Sequence, residues 1–143
     1  MTATSTVVRA FSHVHTQLYR WTRGRVGGRM GSLEQVLLTT TGRSSGERRT
    51  TPLMVTPVGD ALVLIASFGG APKHPAWYLN LVADPDVTIQ RGGETAAYRA
   101  RTATGAERES LWQAAVAANR GYADYQKKTD RVIPVVVAER VTG

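Results

Sequence analysis

The chain has 143 residues, no cysteine and a formal net charge of +7, carried by fifteen Arg and three Lys against eleven acidic residues. That length suits one domain with a single core, and the missing cysteines exclude disulfides, thiolate nucleophiles and cysteine metal sites. No apolar run approaches the roughly 20 residues needed to span a bilayer, and MTATSTVVRAFSHVHTQLYRW lacks the continuous apolar stretch and cleavage site of a secretory signal, so a cytoplasmic protein is expected.

From about residue 6 to 23, Val7, Phe11, Val14, Leu18 and Trp21 recur every three or four positions, the period of an amphipathic helix. Arg9, Arg20, Arg23, Arg25 and Arg29 all precede the first acid, Glu34, which makes this segment a cationic arm. Its apolar stripe can pack into the core, close over a pocket as a lid, or rest on an anionic membrane surface. Gly24, Gly27, Gly28 and Gly31 then form a basic connector. The expected organisation is therefore an arm and connector over 1–32 and a domain over 33–143.

Three strands follow, over 34–41, 48–58 and 61–66, with Gly59-Asp60 as the turn between the last two. The Gly-Gly loop SFGGAPKH runs into a short helix over 75–83, for which Pro75 fits the first turn and Asp84-Pro85 the stop. Residues 86–91 and 94–103 flank Gly92-Gly93 as a hairpin. Thr104 and Glu107 read as a capping box opening a helix that carries Leu111, Trp112, Ala115 and Val116 to the core and ends or kinks at Gly121. Tyr122 and Tyr125 lie one helical turn apart, and the apolar run 133–139 is expected to close the sheet.

Two segments point to chemistry. LLTTTGRSSGERRTTPLMV (37–55) places Arg43, Arg48 and Arg49 at a hairpin tip, and SFGGAPKHPAWYLNL (67–81) offers approachable backbone N–H groups at Gly69 and Gly70 just before a helix N-terminus. Arginine forks and helix N-termini both favour anions, so a phosphorylated cofactor suits the pair, whereas arginines at a hairpin tip can also be merely solvated. Trp77, Asn80 and Leu81 share one helix face, with Trp77 able to serve as core and Asn80 as surface. His13 and His15 point to different helix faces and His74 stands alone, so no metal is expected. No helix-turn-helix, zinc-finger or RRM signature accompanies the positive charge, and nucleic acid is not an expected partner.

Read with GYADYQKKTDRVIPVVV, these segments resemble the deazaflavin-dependent nitroreductase family from about Leu37 to Val137. The resemblance implies an α+β split β-barrel, related to FMN-binding barrels, with flanking helices. It also implies hydride transfer from reduced coenzyme F420 to electron-poor conjugated acceptors: quinones, unsaturated lactones or coumarin-like compounds, and nitroaromatics. On these positions it implies cofactor contacts from Arg43, Ser44, Arg48, Ser67, Phe68, Gly69, Gly70, Ala71, Lys73, Trp77 and Asn80. Tyr122 and Tyr125 would line the acceptor site, with Tyr122 and Ser67 as the candidate catalytic groups. Relatives commonly carry Lys where this chain has Ser44 and Phe68, and some carry a further tyrosine where it has Asn119. FMN on the same barrel, or a non-enzymatic cofactor- or lipid-binding role, are the alternatives.

Overall fold

The computed structural model describes residues 29–30 and 33–141. The expected N-terminal helix lies outside the described residues, as does most of the connector, from which only Arg29–Met30 (β1) is described, paired antiparallel with Leu33 and Glu34. Among the described residues no helix is long and apolar enough to cross a membrane.

The strands are β2 (Leu33–Thr41), β3 (Arg48–Val58), β4 (Ala61–Ile65), β5 (Asp86–Arg91), β6 (Glu94–Thr102) and β7 (Val135–Arg140). All neighbours are antiparallel in the order β2-β3-β4-β7-β6-β5, and pairing of β2 with β5 closes the ring into a six-stranded barrel. Helices α1 (Ala76–Ala83), α2 (Gly105–Ala118) and α3 (Gly121–Lys127) flank it. This is the α+β barrel expected from the sequence.

Burial explains the sequence patterns. In β4 and β7, Leu62, Leu64, Val136 and Ala138 face the barrel interior, while Val63, Ile65, Val135 and Val137 join Ala103, Ala115, Tyr122 and Ile133 in a second cluster beneath α2 and α3. Strands covered on both faces read as continuous apolar runs. In β6, by contrast, buried Tyr98 and Ala100 alternate with exposed Arg99 and Arg101, the period of a strand with one wet face.

Two helix starts differ from expectation. Pro75 precedes α1 with extended geometry (φ −67°, ψ 152°), and its carbonyl accepts from the Tyr78 and Leu79 N–H groups, so the helix opens at Ala76. Thr104 makes no side-chain cap at α2, and Glu107 instead receives both Nη groups of Arg101 at 2.6 and 2.9 Å. A bidentate arginine outcompetes a backbone N–H for the same carboxylate. Asn119 ends α2, and α3 restarts at Gly121.

One mismatch in strand length positions the site. β3 has eleven residues and β4 only five, so β4 pairs with Val55–Val58 and leaves at Ile65. From Arg48 to Met54, β3 pairs with β2 on one edge and with no described strand on the other. The barrel is split there, beside the loop that leaves β4.

Candidate functional site

The β2–β3 hairpin tip, the 66–75 loop, α1 and the start of β7 gather at one end of the barrel. The hairpin tip is tied down by Asn80, which is 5% exposed on α1. Its Oδ1 accepts from Arg43 N at 3.2 Å and Arg43 Nη1 at 3.0 Å, and its Nδ2 donates to the buried Thr40 Oγ1 at 3.2 Å. An amide can fill these roles because it carries donor and acceptor on one rigid plane. Asn80 is thus enclosed beneath Arg43 and acts on the rim through that side chain.

Arg48 lies across three strands, with Nη1 donating to Thr41 Oγ1 at 2.8 Å and Nη2 to Thr88 Oγ1 at 2.9 Å. Arg49 pairs with Glu47 at 3.2 Å, whereas Arg43, Arg48, Lys73, Lys128 and Arg131 make no ion pair among the described residues. Carboxylates engage Arg91, Arg99, Arg101 and Arg140 on β5, β6 and β7, and leave these five cations without such a partner among the described residues. Ser44 is exposed at the tip beside Arg43.

In the loop, Phe68, Gly69 and Gly70 take φ values of 47°, 64° and 82°. The left-handed region suits glycine and is strained for a bulky residue, yet Phe68 adopts it with its side chain 42% exposed. Gly70 is required by contact as well as conformation: a Cβ there would sit 2.8 Å from the carbonyl oxygen of Tyr125. Ser67 is buried, Ala71 half-buried and Lys73 exposed.

Arg131, which carried no sequence signal of its own, organises this loop. Its Nε donates to the Ala71 carbonyl at 2.9 Å, its Nη2 to that of Ser67 at 2.8 Å and its Nη1 to that of Ala66 at 3.2 Å. Nη1 also lies 3.0 Å from His74 Nδ1. Burial and then the Arg131 charge hold His74 below the ordinary histidine range, so Nδ1 is the acceptor and the ring is neutral near pH 7. Burial lowers Arg131 too, but an arginine stays cationic. Gln126 secures the Arg131 backbone by donating to its carbonyl at 2.7 Å and accepting from Ile133 N at 2.9 Å.

The aromatic candidates divide by burial. Trp77 packs against the barrel core with an edge-on contact to Tyr78. Tyr122 is 6% exposed within the second cluster, and burial raises its pKa above the ordinary phenol value despite a hydrogen bond with Asn119. It therefore stays protonated across the physiological range. Tyr125 is half-buried on the same face with Lys128 Nζ 5.7 Å from its ring centre.

A concavity of about 370 Å³ opens elsewhere, among Glu34, Arg91, Glu94, Tyr98 and Arg140, and contains none of the predicted site residues. Two ion pairs, Arg91–Glu34 and Arg140–Glu94, satisfy its charges. The split beside β3, with its unpaired cations and small-residue loop, has the chemistry for an elongated anion joined to a flat ring. No group of three or more His, Asp or Glu suited to a metal occurs among the described residues.

Comparison with known proteins shows the family. A family model described as F420H(2)-dependent quinone reductase matches residues 11–140. An F420H(2)-dependent quinone reductase of Mycobacterium tuberculosis is 40% identical over 131 residues, covering 89% of this chain and 88% of that protein. A solved F420-H2 dependent reductase is 47% identical with a TM-score of 0.68, covering 73% of this chain and 93% of its own. Another solved chain, described as a domain-swapped dimer, is 40% identical with a TM-score of 0.72 and covers 96% of this chain and all of its own.

Proposed function

Because the chain belongs to the F420H(2)-dependent quinone reductase family, we propose that it reduces quinones and other electron-poor conjugated acceptors with reduced coenzyme F420 at the split beside β3. The observation that carries this placement is the set of cations at that end of the barrel without carboxylate partners among the described residues. When bound, the reduced deazaflavin supplies a hydride from its ring.

Arg43 and Arg48 receive the anionic side chain of the cofactor, with Ser44 and Lys73 as further donors. Asn80 acts by fixing Arg43. Ser67, Gly69, Gly70 and Ala71 border the flat ring, where small residues permit close backbone approach, and Phe68 packs against the bound cofactor in place of the lysine carried by relatives. Trp77 supports this wall from the core.

On the acceptor side the burial of Tyr122 favours Tyr125 for the contact with substrate. Tyr125, the more exposed phenol, faces the acceptor, and Tyr122 holds it from beneath. A protonated phenol stabilises charge that develops on an acceptor oxygen by donating a hydrogen bond. We also place the cationic N-terminal segment at anionic membranes, where apolar quinones partition; co-sedimentation with anionic against neutral vesicles checks that contact.

The deciding experiment is fluorescence titration with F420 and, in parallel, FMN, followed by turnover of a benzoquinone or naphthoquinone with reduced F420. Saturable F420 binding in preference to FMN, with quinone-dependent oxidation of the reduced cofactor, is expected. Preference for FMN, or F420 binding without turnover of any acceptor class, would overturn the assignment.

A further inference from the structure

The 66–74 loop is held from the other end of the chain by a guanidinium that has no carboxylate partner among the described residues. Arg131 is half-buried, and its side chain donates to three loop carbonyls and lies against one neutral imidazole. A guanidinium partly withdrawn from water still needs acceptors, and a fork that donates to backbone carbonyls fixes those peptide planes while it satisfies the cation. The carbonyls of Ser67 and Ala71 bracket the three left-handed residues, and one of these, Phe68, is not a glycine. Phe68 belongs to neither core cluster and is 42% exposed, so it is not a core anchor that would by itself dictate this backbone conformation. Strained backbone persists where its surroundings over-determine it, and such positions concentrate at functional sites.

We propose that Arg131 is a positioning residue for the cofactor site, whose bonds to the Ala66, Ser67 and Ala71 carbonyls hold Phe68, Gly69 and Gly70 in the left-handed conformation that the bound cofactor meets. The inference rests on reading this loop as part of the F420 site. It predicts a pre-organised loop, in which turn bonds from Gly70 N to Ser67 O (2.9 Å) and from Ala71 N to Phe68 O (3.1 Å) reinforce the same conformation. His74 completes the arrangement as a neutral acceptor, and Gly70 lets α3 close against the loop.

The test is a double-mutant cycle read as F420 dissociation constants, with thermal unfolding measured alongside. Arg131→Lys keeps the charge and loses the fork, and is expected to weaken F420 binding about tenfold. Phe68→Gly lets residue 68 adopt its conformation without strain. In that background the Arg131→Lys penalty is expected to shrink to about threefold or less, a coupling typical of residues acting on one element. Additive effects, or a lowered Tm with an unchanged F420 constant, would overturn the proposal. Hydrogen exchange of the unsubstituted protein without F420 tests it independently of any variant: Gly70 and Ala71 amides are expected to be protected, and exchange at open-loop rates would overturn it. Failure of the unsubstituted protein to bind F420 would instead overturn the cofactor reading, and this inference with it.

Discussion

Replacing Asn80 separates the structural from the electrostatic role of the hairpin tip. Asn80→Ala removes three hydrogen bonds, two from Arg43 and one to Thr40 Oγ1, and leaves that hydroxyl, 1% exposed, without its donor. Arg43 is at the surface, so water replaces its share, whereas Thr40 bears the full cost of a buried unpaired group. At about 1 kcal/mol for a net hydrogen bond and 1–3 for a buried orphan, the expected loss is about 2–4 kcal/mol. For a chain of this size that is roughly 6–15 °C in Tm. Asn80→Asp keeps an acceptor for Arg43, and the Thr40 hydroxyl can turn to donate to the new carboxylate, so its Tm is expected to fall less. The same carboxylate cancels the Arg43 charge, and F420 affinity is expected to fall by about tenfold, the worth of one charge-assisted contact. Circular dichroism melts and F420 fluorescence titration read the two effects separately. An Asn80→Ala melt within about 2 °C of the parent would refute the bonding argument, because three lost bonds cannot cost so little. An Asn80→Asp protein with parental F420 affinity would refute the role of Arg43 as an anion contact.

Three further outcomes are expected. Gly70→Ala should destabilise by about 2–4 kcal/mol in urea unfolding, since its Cβ meets the Tyr125 carbonyl and φ 82° is costly for any other residue; parental stability would contradict the packing of α3 on the loop. His74 has a lowered pKa in the folded state, so the unfolded chain takes up the proton first as pH falls. The stability due to neutral His74 is present above about pH 6.5, the unfolded value, and is lost as pH falls through the folded pKa; His74→Gln should flatten that part of a Tm against pH profile, and an identical slope would exclude His74 as its source. Tyr125→Phe should lower kcat/KM for quinones with F420 affinity unchanged, while Tyr122→Phe should act mainly on Tm; the reverse pattern in steady-state kinetics would return the acceptor contact to Tyr122.

The strands were legible because their burial is periodic or continuous. β5 and β6 alternate, and β4 and β7 are covered on both faces, so each left a distinct pattern in the sequence. The basic hairpin tip and the Gly-Gly loop were legible from composition, and the family pattern gave the barrel that joins them. What escaped are contacts between residues distant in sequence. Glu107 has the spacing of a cap, but Arg101 reaches it first across the strand-helix junction. Asn80 was readable as a cleft-lining or a surface amide, and its partners lie 37 and 40 residues away, in the hairpin tip and in β2. Arg131 sits in a stretch of ordinary polarity and acquires its role only when residues 60 to 65 positions earlier are folded against it. Partners that far apart leave no local spacing to read.

The position of β7 between β4 and β6 has a bearing on biosynthesis. β4 finds its second partner only when Val135 and the residues after it are available, since Ile65 pairs with Val135 and Ala61 with Glu139. Translation at about 5–20 residues per second separates Ile65 from Val135 by about 4–14 s. Throughout that interval the ALVLI strand, apolar on both faces, has one edge unpaired, and its outer face lacks the Ile133, Val135 and Val137 side chains that complete its cluster. Such an edge is a template for pairing with other chains. The nascent protein therefore passes through its most association-prone state late in synthesis, and a slow codon placed between residues 66 and 134 should lower soluble yield more than one placed after residue 141.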